Sequence, residues 1–299
     1  MGGALDDLDI AALTRTALQL MPSAEGAPAP RSRLGGPALL PAGAEWPRDR
    51  RGRPLTFLAG LDLGELGDFD ERDLLPRSGW LLTFADIANE NIEGLIDESG
   101  NAEGDLARVF VVDDPVPATE PDDLLADANN VLRRRPVTTR AVPTLPAWAP
   151  DTAGVDRERF DEAFDALAEV HARGLASDDV EDLDEDELHA ASAAEPYEID
   201  DEPWTGPDDT PRTEEALVKS GWRPPDDGRS LGGVHFVGGL ATGVQGHEPE
   251  DDTFLLLHLS WDEPLGFLFL DGGAIQFRIP RDAARRRDWS RVVAVADSC

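Results

Sequence analysis

The sequence predicts an α+β fold: mostly antiparallel β-sheets in an internally duplicated, pseudo-twofold arrangement, with a few packed helices. Three observations predict it. Short apolar runs bounded by Gly and Pro recur along the chain, as buried strands do. The 24 prolines and 28 glycines among 299 residues break the chain into short elements and argue against a long helical bundle. Finally, one set of landmarks occurs twice in the same order. Gly35-Gly36-Pro37-Ala38 precedes Thr56-Phe57-Leu58 and Gly79-Trp80-Leu81-Leu82-Thr83-Phe84, and Gly238-Gly239-Leu240-Ala241 precedes Thr253-Phe254-Leu255 and Gly272-Gly273-Ala274-Ile275-Gln276-Phe277. Two such copies would bury one shared apolar interior, and a hydrophobic fraction of 40% is enough to fill it.

The elements follow in order. Leu5, Leu8, Ala12, Leu13, Ala17 and Leu20 stand at helix-like spacings, and a Pro- and Ala-rich stretch runs from Met21 to Pro30, so residues 1–30 read as an N-terminal helix and linker. A single domain over 31–299 follows. Its first half, 31–150, carries strands at Leu55–Leu61, Trp80–Phe84, Arg108–Val112 and Val137–Val142. Phe160, Phe164, Leu167 and Val170 recur every three or four positions with charges between them, which predicts an amphipathic helix over 155–174 with Asp156 as N-cap and Gly174 as its stop. His171, near its end, is expected to face solvent or the negative pole of the helix dipole. The second half, 213–299, reads as strands at Phe254–Leu259, Phe267–Leu270 and Ala274–Ile279, a short helix after Pro280 and a closing strand at Val292–Ala296.

Between the halves, the insert 175–212 holds fifteen Asp and Glu and, up to Pro211, no Lys or Arg. Like-charge repulsion and a shortage of apolar groups predict a mobile acidic insert. Asp182, Asp184 and Asp186 alternate as in a calcium loop, but the turn glycine and distal Glu of such a loop are not at their offsets. The whole chain has 61 acidic and 27 basic residues, a formal charge of −34. Such a field repels nucleic-acid phosphates and anionic membranes and attracts a basic protein. Neither a basic-then-apolar leader nor an apolar run of about 20 residues is present, so a cytoplasmic location is expected. The one cysteine, Cys299, excludes an intramolecular disulfide and a Cys-rich zinc site.

No catalytic or metal-binding constellation stands out, and no cofactor is expected. The histidines, His171, His189, His235, His247 and His258, show no paired ligand spacing, and no Gly-x-Ser-x-Gly elbow surrounds a serine. His258 lies inside an apolar strand and is expected to be a core histidine bonded to backbone. Asp62, Asp86, Asp262 and Asp271 lie beside strands, where capping or solvated roles are expected. Gly35, Gly36, Gly238 and Gly239 fit tight turns needing positive φ. If the halves enclose a cleft, Trp46, His235, Gln245 and Asp271 are the side chains expected to line it.

Specific runs also carry a resemblance. Ser32-Arg33-Leu34-Gly35-Gly36-Pro37-Ala38-Leu39-Leu40-Pro41, Glu45-Trp46-Pro47 and Gly52-Arg53-Pro54-Leu55-Thr56-Phe57-Leu58-Ala59 in the first half resemble the YwqG-like family, bacterial proteins of unknown function. So do His235-Phe236-Val237-Gly238-Gly239, Val244-Gln245-Gly246, Leu265-Gly266, Asp271-Gly272-Gly273 and Ser290-Arg291-Val292 in the second. The chain departs from the family pattern at Ala38 and Ala241, where proline is usual, and at Leu240, where an aromatic is usual; turn rigidity should differ there. The resemblance implies a mixed α+β fold with mostly antiparallel sheets, and no reaction. The functional expectation is a non-enzymatic acidic module, immunity-like or chaperone-like, for a basic protein partner; the alternative is a small-molecule-binding protein or enzyme with its cleft between the halves.

Overall fold

A computed structural model describes residues 10–23, 29–87, 106–126, 130–146, 157–172, 234–240, 252–262, 265–268 and 272–297. All belong to the compact unit formed by Met1–Leu175 and Leu231–Cys299. The acidic insert lies outside the described residues, as do Gln245, Asp271, Asp156, Gly174 and Cys299.

The architecture is mostly β, which corrects the α+β expectation: ten antiparallel strands form one curled, nearly closed barrel-like sheet, and the helices are few and peripheral. The strands are β1 (Arg15–Pro22), β2 (Arg33–Leu34), β3 (Leu39–Leu40), β4 (Thr56–Asp62), β5 (Trp80–Ala85), β6 (Ala107–Val112), β7 (Val116–Pro117), β8 (Arg135–Thr144), β9 (His235–Gly238), β10 (Thr253–Ser260), β11 (Ala274–Pro280) and β12 (Val293–Asp297). The sheet runs β12-β11-β10-β9-β1-β8-β2-β4-β5-β6, and β3 pairs with β7 in a separate ribbon. The helices are α1 (Asp122–Leu125), α2 (Arg157–Ala172) and α3 (Arg281–Arg285), with 3-10 turns at Arg72–Leu74 and Trp289–Arg291.

Each of the ten strands sends at least one side chain into a single core, among them Leu18, Leu34, Leu61, Leu81, Val109, Val137, Val237, Leu257, Phe277 and Ala294. A flat sheet could not bring Val109 of β6 and Ala294 of β12 into one cluster from opposite edges. The right-handed twist and the bulges of β4 and β10 supply the needed curvature.

Strand β1 replaces the helix expected at the N-terminus. Among the described residues, helix there is limited to 10–13, and Arg15–Pro22 pairs with both β8 and β9 at the centre of the sheet. The helix-like spacing of Ala17 and Leu20 is overridden because burial on both faces removes the alternation a half-buried strand would show. The segment Phe267–Leu270 also differs: Phe267 makes an isolated bridge to Asp262, Leu268 is in no strand, and residues 269–271 are outside the described set.

Around the central pair β1–β8, the sheet order is balanced: β9-β10-β11-β12 on one side, β2-β4-β5-β6 on the other. Registers match as well. Arg33, two residues before Gly35, pairs with Gly60, which pairs with Leu82, which pairs with Phe110. Phe236, two residues before Gly238, pairs with His258, which pairs with Gln276, which pairs with Val295. Both bulges fall three residues before these central positions, between Phe57 and Ala59 in β4 and between Leu255 and Leu257 in β10.

Candidate functional site

Two polar clusters occupy the β9–β11 side of the sheet. The first is built where three chain segments meet. Arg135 opens β8, His235 opens β9, and Asp262 follows β10. His235 Nε2 donates to Asp262 Oδ2 at 2.9 Å, and the Arg135 guanidinium pairs with the same carboxylate oxygen. The other oxygen accepts the Leu265 N–H at 2.9 Å. His235 and Asp262 are both 2% exposed. Burial alone would raise the pKa of Asp262, but the hydrogen bond from His235, the Arg135 charge and the Leu265 N–H together hold it below the ordinary carboxylate value. The loop is tied further by Arg133 N–H donating to Leu265 O at 2.8 Å.

His235 is therefore a strand residue sealed in the fold, where the sequence led us to expect a side chain lining a cleft. Its Nδ1 accepts the Ser260 N–H at 3.3 Å, so both ring nitrogens are committed to protein groups. A general base needs one nitrogen within reach of a substrate proton; this ring offers none. Asp262 caps its loop through the Leu265 N–H, as expected of it, but is buried and ion-paired instead of solvated. Asp62 likewise accepts the Gly64 N–H at 2.8 Å while buried and paired with Arg31, and Asp86 is buried and paired with Arg53 at 3.0 Å.

The second cluster lies on the opposite, outer face of the sheet, in one register row: Arg140 on β8, Gln19 on β1, Phe236 on β9, His258 on β10 and Gln276 on β11. The end of α2 closes one part of the row. Gln19 Nε2 donates to His171 O at 2.7 Å, and Arg140 donates to Gln19 Oε1 at 2.6 Å and to Val170 O at 3.0 Å. His171 is buried, not solvent-facing; its Nε2 bonds Pro143 O at 2.8 Å and its ring meets Phe236 edge-on at 5.0 Å. Burial, with Arg140 nearby, lowers its pKa despite the Pro143 carbonyl, so the dipole-favoured cation expected there does not form.

Further along the row, satisfaction stops. Arg278 Nε and Nη2 donate to Gln276 Oε1 at 2.9 and 2.5 Å, which turns the amide nitrogen of Gln276 away from them. That nitrogen and His258 Nδ1 are buried without a hydrogen-bond partner. Gln276 is 1% and His258 3% exposed. Burial, reinforced by His235 and Arg278, pushes His258 down to about 3, so it stays neutral at pH 7. The expectation that His258 bonds backbone holds for neither its Nδ1 nor any hydrogen bond among the described residues.

Trp46 belongs to neither cluster. Its indole N–H donates to Leu55 O at 2.9 Å, and its ring meets Phe84 edge-on at 5.7 Å within a separate apolar cluster on the outer face of β4–β5. The glycine pairs stand at opposite ends of β8. All four have positive φ, between 52° and 74°; a Cβ at Gly36 would strike Arg134, and one at Gly239 would strike Ala17 and Thr144. Among the described residues, no group of three His, Cys, Asp or Glu could hold a metal ion, and no helix is long and apolar enough to cross a membrane. Neither unpartnered atom was legible in the sequence, because Gln276 reads as the solvent side of an alternating strand and only the pairing places it beside His258.

The chain belongs to a family described as a domain of unknown function (DUF1963), whose pattern matches residues 32–299. That match takes in nine of the ten sheet strands, the whole of the first polar cluster and the second except Gln19, and leaves out β1, the strand joining the two sides. No curated protein matches the chain.

Proposed function

We propose that this chain is a YwqG-like member of its family and acts in the cytoplasm as a non-enzymatic acidic module for a basic protein, in the manner of an immunity protein or an acidic chaperone. The observation that carries this reading is how the positive charge is used. Arg53, Arg135, Arg281 and Arg286 each pair with carboxylates of the same chain, so part of a small basic complement is neutralised internally. The fifteen carboxylates between Leu175 and Pro211 have no Lys or Arg among them. An excess of this kind steers a cationic partner and suppresses anionic ones. The balanced strand order and shared bulges support the accompanying reading that the fold arose by duplication.

The test uses the intact protein and a defined arginine-rich peptide, with an uncharged peptide of equal length as control. Saturable binding is expected at low salt and should weaken at moderate salt. A variant with the Asp and Glu of 178–209 changed to Asn and Gln should lose most of it. Equal binding by that variant, or none by the intact chain, overturns the proposal.

A further inference from the structure

His258 and Gln276 are cross-strand partners on one face, with Cα atoms about 4.5–5.5 Å apart, so their unpartnered groups belong to neighbouring side chains. Gln276 has its oxygen occupied by Arg278, leaving two N–H donors. His258 Nδ1 has no partner and, with the ring proton on that nitrogen, is a third donor. The rings of Phe236 and His171 continue the row. Leaving two such groups unsatisfied in a buried place is destabilising, and an acceptor from outside the protein would relieve it.

The balanced side of the sheet shows what the same place looks like when nothing needs to bind. There, the positions matching Arg278, Gln276 and His258 are Phe84, Leu82 and Gly60. Phe57, Leu82 and Leu39 lie over Gly60, and Trp46, Leu55 and Phe110 complete a dry cluster. The scaffold can thus close this face with apolar side chains, and at β9–β11 it presents donors instead.

We propose that the outer face at His258 and Gln276 binds the carboxylate group of a small organic acid. A carboxylate offers about four acceptor sites to these neighbouring N–H donors, and the guanidinium of Arg278, held on Gln276, favours an anion over a neutral carbonyl. The site uses none of the residues of the acidic stretch in the preceding proposal, and neither proposal depends on the other.

The experiment follows the imidazole nitrogens of His258 by NMR and the thermal midpoint of the full chain during titration with acetate and with succinate, using chloride and sulfate at matched ionic strength. The expected result is a saturable shift of the His258 Nδ1 resonance and a rise in midpoint with a carboxylate and not with chloride or sulfate. Gln276→Met should lower the affinity by about tenfold or more. His258→Phe, which removes the reporter, should abolish the rise in midpoint. A wild-type protein that responds to neither acid, or equally to sulfate, overturns the proposal without reference to any variant and leaves an ordered water as the occupant. An unchanged affinity in a folded Gln276→Met protein overturns it too.

Discussion

The two outer faces of the sheet are built on one backbone plan and filled with opposite chemistry. On β4–β5, Phe57, Leu82 and Phe84 pack under Trp46 with ring centroids 5.2 to 5.7 Å apart. On β10–β11, the matching positions hold Leu255, Gln276 and Arg278, beside His258. On the inner face both sides feed one apolar core, and the polar groups it admits, Thr83 and the His235–Asp262–Arg135 cluster, are few. Constraint from the shared interior holds one face constant. The outer faces, each closed by its own covering groups, are free to specialise. What the difference teaches is that one backbone plan can close an outer face with apolar packing or keep buried polar groups on it.

The strongest way to break this comparison is to empty the apolar face. Phe84 is fully buried and meets Phe57, Trp46 and Phe110. Phe84→Ala should cost about 4 kcal/mol, as large-to-small changes of a buried aromatic do, measured by urea unfolding at pH 7. A loss below about 1 kcal/mol would mean that this face is not a packed cluster, and the contrast with β10–β11 would lose its basis.

Next in size is the ion pair that anchors the polar side. Asp262→Asn leaves Arg135 facing a neutral amide in a buried setting, at an expected cost of about 3 kcal/mol near neutral pH. The pH dependence sharpens the point. The folded-state pKa of Asp262 is depressed, so its stabilisation is fully present above the ordinary aspartate value of about 3.9 and is lost as pH falls through the lower folded value. The groups facing it are Arg135, His235 and the Leu265 N–H, with His258 close enough to feel His235. The wild-type protein should therefore lose more stability than the variant on acidification below pH 4, followed by chemical denaturation at each pH. Parallel curves would show that the carboxylate is not held by these partners.

Much of the fold was legible in the sequence. Strands at Leu55–Leu61, Trp80–Phe84, Arg108–Val112, Phe254–Leu259 and Ala274–Ile279 coincide with β4, β5, β6, β10 and β11, because short apolar runs between turn residues leave few alternatives. The amphipathic spacing from Phe160 to Val170 coincides with α2. The proportion of helix was misjudged where β1 took the place of a predicted helix, since a strand buried on both faces carries no period of its own. The candidate site was hidden by something subtler. Matching like residues aligned Phe57 with Phe254 and Phe84 with Phe277, whereas strand pairing aligns Phe57 with Leu255 and Phe84 with Arg278. That is a slip of one residue, and one residue in a strand exchanges the two faces. Phe254 and Phe277 point into the common core, while Phe57 and Phe84 point outward. Similar residues in similar order thus concealed a polar face behind an apparent match.

The smallest of the expected effects tests whether the two faces differ by their surroundings or merely by composition. Leu82 occupies the position of Gln276 and is fully buried among Leu55, Phe57 and Phe84. In Leu82→Gln the new amide would find Phe84 where Arg278 stands on the other side, so no guanidinium accepts the task of holding its oxygen. Two donors and an acceptor would be stranded in an apolar setting, at an expected cost of about 2 kcal/mol. Because the side chains are close in size, little of that cost would come from a cavity, and thermal and urea unfolding should agree on it. A Leu82→Gln protein as stable as wild type would mean that the β4–β5 face accommodates polar groups as readily as the β10–β11 face. In that event the unpartnered atoms of His258 and Gln276 would be what this scaffold tolerates, with no ligand required to explain them.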